Sequence, residues 1–176
     1  IAQDSRGFLW FGSKGGLNRY DGYSFVVYAN EPFNENSLSH NLVQTVFMDA
    51  GDILWAGTYR GLNRLDTGSK KIVRYVHDAS DPTSLSNDVV TAVFRDTSGR
   101  LWVGTLDGLN VLDEGTGKFK RYSDSADKSG ALSNDTVRAI LETRDGTVWF
   151  GTYGGLYRYE EGSDSFAKYS ADGSGA

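Results

Sequence analysis

The sequence predicts an all-β fold, a β-propeller built of four four-stranded antiparallel blades, and three observations predict it. The four tryptophans, Trp10, Trp55, Trp102 and Trp149, stand 45, 47 and 47 residues apart. Each sits in the same text: Leu9-Trp10-Phe11-Gly12-Ser13, Leu54-Trp55-Ala56-Gly57-Thr58, Leu101-Trp102-Val103-Gly104-Thr105 and Val148-Trp149-Phe150-Gly151-Thr152. The composition, 22 Gly, 10 Tyr and 9 Phe among 176 residues against 2 Pro and 1 Met, is that of short strands joined by tight turns rather than of a helical bundle. A repeat of about 40–50 residues holding four strands marks a propeller blade. A lone sheet of this kind has two apolar faces, and radial stacking covers both.

The third copy shows the elements in order. Val89–Phe94 is strand A, Leu101–Thr105 strand B, Leu109–Leu112 strand C and Lys118–Tyr122 strand D, with turns at 96–99, 106–108 and 113–117. Strands A and B are apolar almost throughout, as suits strands buried on both faces. Strand D alternates Phe119 and Arg121 with Lys120 and Tyr122, as an edge strand should. The other copies repeat the frame: Gly-Leu at Gly16, Gly61, Gly108 and Gly155, an acid at Asp21, Asp66, Asp113 and Glu160, the pairs Phe25/Tyr28, Ile72/Tyr75, Phe119/Tyr122 and Phe166/Tyr169, and Leu-Ser at Leu38, Leu85 and Leu132. The blades are placed at 1–36, 37–83, 84–130 and 131–176. Each tryptophan is read as the plug between adjacent blades, worth on the order of 150–250 Å² of buried surface. The glycine two residues on is expected to leave room for the neighbour's ring.

Ile1 aligns with Val46, Val93 and Ile140, so the first blade lacks its Leu-Ser lead-in and half of its inner strand. A span of a longer propeller, a four-bladed ring, or a ring closed by a second copy into about eight blades with two-fold symmetry are all compatible with this phase.

Composition excludes several functions. Eighteen Lys and Arg against 23 Asp and Glu give a net charge of −5, opposed to nonspecific nucleic-acid binding. The absence of cysteine removes disulfides and thiolate metal sites, and two histidines cannot make a histidine-rich cluster. No apolar run approaches the roughly 18–20 residues of a membrane-spanning helix, so the segment itself is not expected to contact a membrane. No cofactor motif is legible: the Gly-Gly pairs at Gly15 and Gly154 read as hairpin turns, not phosphate loops. The acids of the A–B turns, such as Asp4 and Asp96, recur once per blade and read as turn chemistry rather than as a catalytic pair.

In a propeller the B–C turns and the D–A loops gather on one face around the central channel, and there the copies differ. Lys14, Tyr59, Arg60, Asp107 and Tyr153 come from the B–C turns and His40 from a D–A loop. Such a mixture could stack on sugar rings and hydrogen-bond hydroxyls, which makes these six the candidate ligand-binding residues; the competing reading is that they are solvated turn residues. Asn41 follows His40 in the same D–A loop, and Asn87, Asp88, Asn134 and Asp135 read as turn chemistry before strand A. His40 shares their register, and His77 reads as peripheral loop.

The pattern Asp-x-x-Gly-x-Leu-Trp-x-Gly-Thr-x-x-Gly-Leu-Asn-Arg-x-Asp, followed by Phe-x-x-Tyr and Ser-Leu-Ser-Asn, closely resembles the two-component regulator propeller repeat. It matches at Asp4–Asp21, Asp49–Asp66, Asp96–Asp113 and Thr143–Glu160, with departures at Ser13, Val111 and Tyr157. The resemblance implies the periplasmic or extracytoplasmic sensor region of a hybrid histidine kinase or related signalling protein. It also implies a ligand of the carbohydrate-breakdown class. It transfers no binding residue, because the motif is scaffold. Three functions stay open on these residues: a non-catalytic ligand sensor, a propeller enzyme of the streptogramin-lyase type using His40 with Asp88 or Asp135, and a purely structural or dimerising propeller.

Overall fold

The structure is a computed structural model and describes residues 1–122, 132 and 136–169. Within these residues sixteen strands form four antiparallel sheets, each a simple meander. The first holds β1 (Ala2–Gln3), β2 (Leu9–Ser13), β3 (Gly16–Tyr20) and β4 (Phe25–Tyr28). The second holds β5 (Val43–Asp49), β6 (Ile53–Thr58), β7 (Gly61–Asp66) and β8 (Ile72–Tyr75). The third holds β9 (Val90–Arg95), β10 (Leu101–Thr105), β11 (Leu109–Asp113) and β12 (Lys118–Tyr122). The fourth holds β13 (Val137–Glu142), β14 (Val148–Thr152), β15 (Gly155–Glu160) and β16 (Ser165–Tyr169). The only helical piece among the described residues is a 3-10 turn at Ala50–Asp52. The four sheets stack as the blades of a β-propeller arc. In the first sheet the inner strand β1 has two residues.

The cores lie between sheets, one per junction. Trp10 packs with Leu38, Val43, Leu54, Ala56, Leu65 and Ile72 of the second copy. Trp55 packs with Leu85, Val90, Leu101, Val103 and Phe119 of the third. Trp102 packs with Leu132, Val137, Val148, Phe150 and Phe166 of the fourth. All three rings are fully buried, whereas Trp149, on the outward face of the last sheet, is partly exposed. The B strands β6 and β10 are buried almost end to end, which explains their lack of alternation.

Two sequence readings are corrected here. The glycine two residues after each tryptophan does not make room for a ring. A Cβ at Gly12, Gly57 or Gly104 would come within 2.8, 2.6 or 2.7 Å of a γ-methyl of Val43, Val90 or Val137. The close approach is therefore to the inner strand of the next blade. The acid that opens each A–B turn is also more than turn chemistry. Trp10, Trp55 and Trp102 donate their indole N–H to Asp4, Asp49 and Asp96 at 3.1, 3.0 and 2.7 Å. Burial opposes the charge on Asp49, but hydrogen bonds from Arg95, Trp55 and the Ala50 N–H outweigh it and hold its pKa below the usual carboxylate range. In the fourth copy Thr143 stands in the aspartate position.

Side chains also stitch successive copies at the outer edge. Arg74 on β8 grips the connection from β4 to β5, donating to the Ser37 carbonyl at 2.7 Å and the Asn34 carbonyl at 2.6 Å. Arg121 on β12 repeats this one copy later, on the Ser84 and Asp81 carbonyls. Between the third and fourth sheets Asp164 receives Lys120 and the hydroxyls of Tyr122 and Tyr159. Burial pushes Asp164 up, but these three donors bring it down to about 2. A carboxylate depressed in the folded state stabilises the fold above its unfolded pKa, about 3.9, and ceases to do so as pH falls through its folded value. Acid titration of the melting temperature is therefore expected to show a stability advantage over Asp164→Asn that is full above pH 4 and fades between about pH 4 and 2. An advantage independent of pH across that window would refute the ion-pair origin.

Candidate functional site at the channel mouth

The mouth is built by a bracket that recurs in the second and third copies. In the second, Asn63 on β7 is fully buried. It accepts from the Ser39 N–H at 2.8 Å and donates to the Ser39 hydroxyl at 2.9 Å and the Ala56 carbonyl at 3.2 Å. The Thr58 hydroxyl donates to the Gly61 carbonyl at 2.9 Å and closes the B–C turn. Asn110, Ser86 and Thr105 repeat the arrangement in the third copy. These are the Leu-Ser, Gly-Thr and Gly-Leu-Asn residues of the repeat. Their hydrogen bonds are consumed in holding the D–A loop against the B–C turn.

In every copy the residue after the Gly-Ser or Gly-Thr pair is exposed: Lys14, Tyr59, Leu106 and Tyr153. In three copies its backbone N–H is anchored to the residue just before strand A: Tyr59 to Leu42 at 3.2 Å, Leu106 to Val89 at 3.1 Å and Tyr153 to Thr136 at 3.3 Å. The side chains stay outside, with Tyr59 44%, Leu106 42% and Tyr153 75% exposed. Neighbouring copies are tied at the same level, because the Gly61 N–H donates to the Asp88 carbonyl and the Thr136 hydroxyl to the Leu106 carbonyl.

A bulge adds a second row. The register of the inner strand slips between Val43 and Thr45, between the partners of Gly104 and Thr105, and between Val137 and Ala139. The skipped residues, Gln44, Thr91 and Arg138, share one repeat position. A bulge of this type re-aims a side chain and is common beside functional sites. Arg138 lies over the ring of Tyr153, 5.5 Å from its centroid.

Of the six residues singled out from sequence, the structure brings His40 and Tyr59 together as a stacked pair, ring centroids 6.2 Å apart. Lys14, Arg60, Asp107 and Tyr153 are exposed on their own turns. Arg60 also lines an open groove of about 750 Å³ beside the β4–β5 connection, with Glu31, Phe33, Glu35 and Val76. Leu106 and Arg138 were missed, although both sit in register with residues that vary between copies.

His40 accepts the Leu42 N–H on Nδ1 at 3.0 Å, and Asn87 accepts the Val89 N–H in the same way at 2.9 Å. Asn41 and Asp88 accept the N–H of Asn30 and of His77. These four therefore do turn work, and His77 Nδ1 lies 2.7 Å from the Leu85 carbonyl. Asn134 and Asp135 lie outside the described residues. Among the described residues no three His, Asp or Glu side chains are grouped to hold a metal ion.

Residues 84–107 and 131–154 match the model of the two component regulator propeller family. The two stretches lie in the third and fourth copies, and the chain is similar there to that family. The extracellular domain of BT3049 from B. thetaiotaomicron, described as a hybrid two component system, superposes with a TM-score of 0.84 at 29% identity, covering 98% of this chain and 24% of that one. That of BT4673, described as a one component system of the same organism, gives 0.77 at 25% identity over 98% of this chain and 25% of that one. Histidine kinase P4 of Formosa agariphila is 46% identical over 39 residues, 22% of this chain and 3% of that protein. The chain thus spans about a quarter of the solved relatives' length and a small fraction of the kinase. A virginiamycin B lyase from Staphylococcus aureus, 13% identical with a TM-score of 0.71 over 99% of this chain and 55% of that one, shares the fold alone.

Proposed function

We propose that this propeller arc is a non-catalytic ligand-sensing module in the extracytoplasmic part of a signal-transduction receptor, and that a carbohydrate-derived ligand docks at the channel mouth. The observation that carries the reading is the row Lys14, Tyr59, Leu106 and Tyr153: one register, varied and exposed side chains, on a scaffold whose own hydrogen bonds leave these side chains unused. Flat aromatic faces at Tyr59 and Tyr153 suit sugar rings, and Arg60, Asp107 and Arg138 beside them suit hydroxyl or carboxylate groups. The likeness to extracellular domains of two component systems supports the placement outside the cytoplasm. No helix among the described residues is long and apolar enough to cross a membrane. The lyase alternative loses support because His40 and Asp88 each accept a backbone N–H in a turn.

The test is thermal unfolding against a panel of neutral and acidic oligosaccharides. A ligand at one hundred times its Kd adds about 2.7 kcal/mol by mass action, a rise of roughly 5–10 °C for a chain of this size. Tyr59→Ala with Tyr153→Ala is expected to abolish the rise while leaving the unliganded melting temperature within about 2 °C, since exposed substitutions cost little. A panel without any shift, or a shift indifferent to both tyrosines, would overturn the assignment.

A further inference from the structure

The second sheet carries a groove that the repeat itself does not call for. It lies between the β4–β5 connection and the edge strand β8, opens to solvent and has a volume of about 750 Å³. That volume is within the range of small-molecule sites. The sheet that bears it is packed against the first sheet on one face and the third on the other.

One wall holds a strained aromatic. Among the described residues four non-glycine residues have positive φ, and Phe33, at 66°, is the only apolar one. A bulky side chain in that region is a genuine outlier, and such strain gathers at functional sites. The Phe33 side chain stands fully exposed where it lines the groove. The fold does not ask for it: one copy later the same connection has Ser80 at this position, without positive φ.

The charges of the groove select the ligand. Arg74 is spent on the Ser37 and Asn34 carbonyls, and Glu31 accepts from the Asn34 side-chain amide at 2.7 Å. Among the described residues the Arg60 guanidinium and the Glu35 carboxylate have no hydrogen-bond or ion-pair partner. One free donor group and one free acceptor group cancel in charge, which suits a neutral ligand rich in hydroxyls rather than a polyanion. Val73 and Val76 add apolar surface beside Phe33. A sugar ring has this same division, an apolar C–H face and a hydroxyl edge. The arrangement is peculiar to this copy. In the next one Ser80, Asp107 and Lys120 stand for Phe33, Arg60 and Val73, whereas the scaffold residues Ser37 and Arg74 recur as Ser84 and Arg121. Arg60 directly follows Tyr59, whose ring stacks on His40, so the groove adjoins the mouth residues.

We propose that the groove is a second subsite, binding the outer rings of a neutral oligosaccharide whose first ring sits on Tyr59 at the channel mouth. It rests on the ligand reading above and adds the length and the charge of the ligand.

Isothermal titration calorimetry of the 176-residue chain with neutral gluco-, xylo- and arabino-oligosaccharides of increasing length, starting from the single sugar, tests it. In the series that binds, affinity is expected to rise at least about tenfold from the single ring to the longest chain. Phe33→Gly is expected to remove that rise and to leave the single-ring affinity as it was. Glycine is at ease at positive φ, so the same variant should keep or raise the melting temperature, which loss of a structural aromatic would lower. Glu35→Lys should weaken the long neutral chains and shift preference towards oligogalacturonate. Tyr59→Ala should weaken binding at every length. An affinity independent of length, a rise untouched by Phe33→Gly, a lower melting temperature in that variant, or a wild-type preference for oligogalacturonate would each overturn the second subsite while the mouth reading stands. Failure of every neutral and acidic sugar to bind would overturn both.

Discussion

Trp102→Ala is expected to cost about 3–5 kcal/mol, the range for removing a fully buried large aromatic side chain. The loss should be local. Each sheet touches chiefly its neighbours, so stability approximates a sum of junction terms, as in other repeat proteins. Trp102 is the ring that joins the third sheet to Phe150, Tyr159 and Phe166 of the fourth. Its removal should detach the fourth sheet first, and urea unfolding should change from one transition to two. Trp149→Ala removes a partly exposed ring and should cost well under half as much. Equal losses at the two positions would contradict the seating of Trp102.

Asp96→Ala has the second-largest expected effect, about 2–4 kcal/mol. The side chain is fully buried and accepts the Trp102 indole N–H, the Arg100 backbone N–H at 2.8 Å and Arg100 Nε–H at 2.6 Å. Alanine would strand all three donors at the rim of the junction. Asp96→Asn retains an acceptor and the shape and should cost clearly less. Because Asp96 and Trp102 share one hydrogen bond, the double variant Asp96→Ala with Trp102→Phe should fall short of the sum of the single losses. Strict additivity in chemical denaturation would mean that the bond contributes nothing.

Much of the architecture was legible because it is written four times. A tryptophan recurring with Gly-Thr and Gly-Leu at fixed distances has few physical uses other than a repeated junction. The strands of the third copy fall at or within one residue of the predicted ends: strands B and D at Leu101–Thr105 and Lys118–Tyr122, β9 one residue later at each end, and β11 one residue longer. The aspartate beneath each tryptophan was missed although its signal is in the text. Asp4, Asp49 and Asp96 each stand six residues before a tryptophan, and Thr143 breaks the rule where the tryptophan is partly exposed. A turn was a sufficient account of those acids, so a second role was not sought. The partner of the Trp-x-Gly glycine was not legible, because contact with Val43, Val90 or Val137 depends on how closely one blade approaches the next. The inner-strand bulge was hidden for another reason. A strand apolar on both faces carries no alternation for a bulge to interrupt, so Arg138 looked like any strand residue. At the mouth, Leu106 was passed over because only polar and aromatic groups were considered as candidates.

The junctions rest on tryptophans whose indole N–H groups are locked onto the aspartate six residues earlier in the same copy. Hydrogen exchange of the four indole N–H signals, followed by heteronuclear NMR, tests this most directly. Three slowly exchanging signals, assigned to Trp10, Trp55 and Trp102, and one fast signal from Trp149 are the predicted result. Four signals exchanging alike would contradict it.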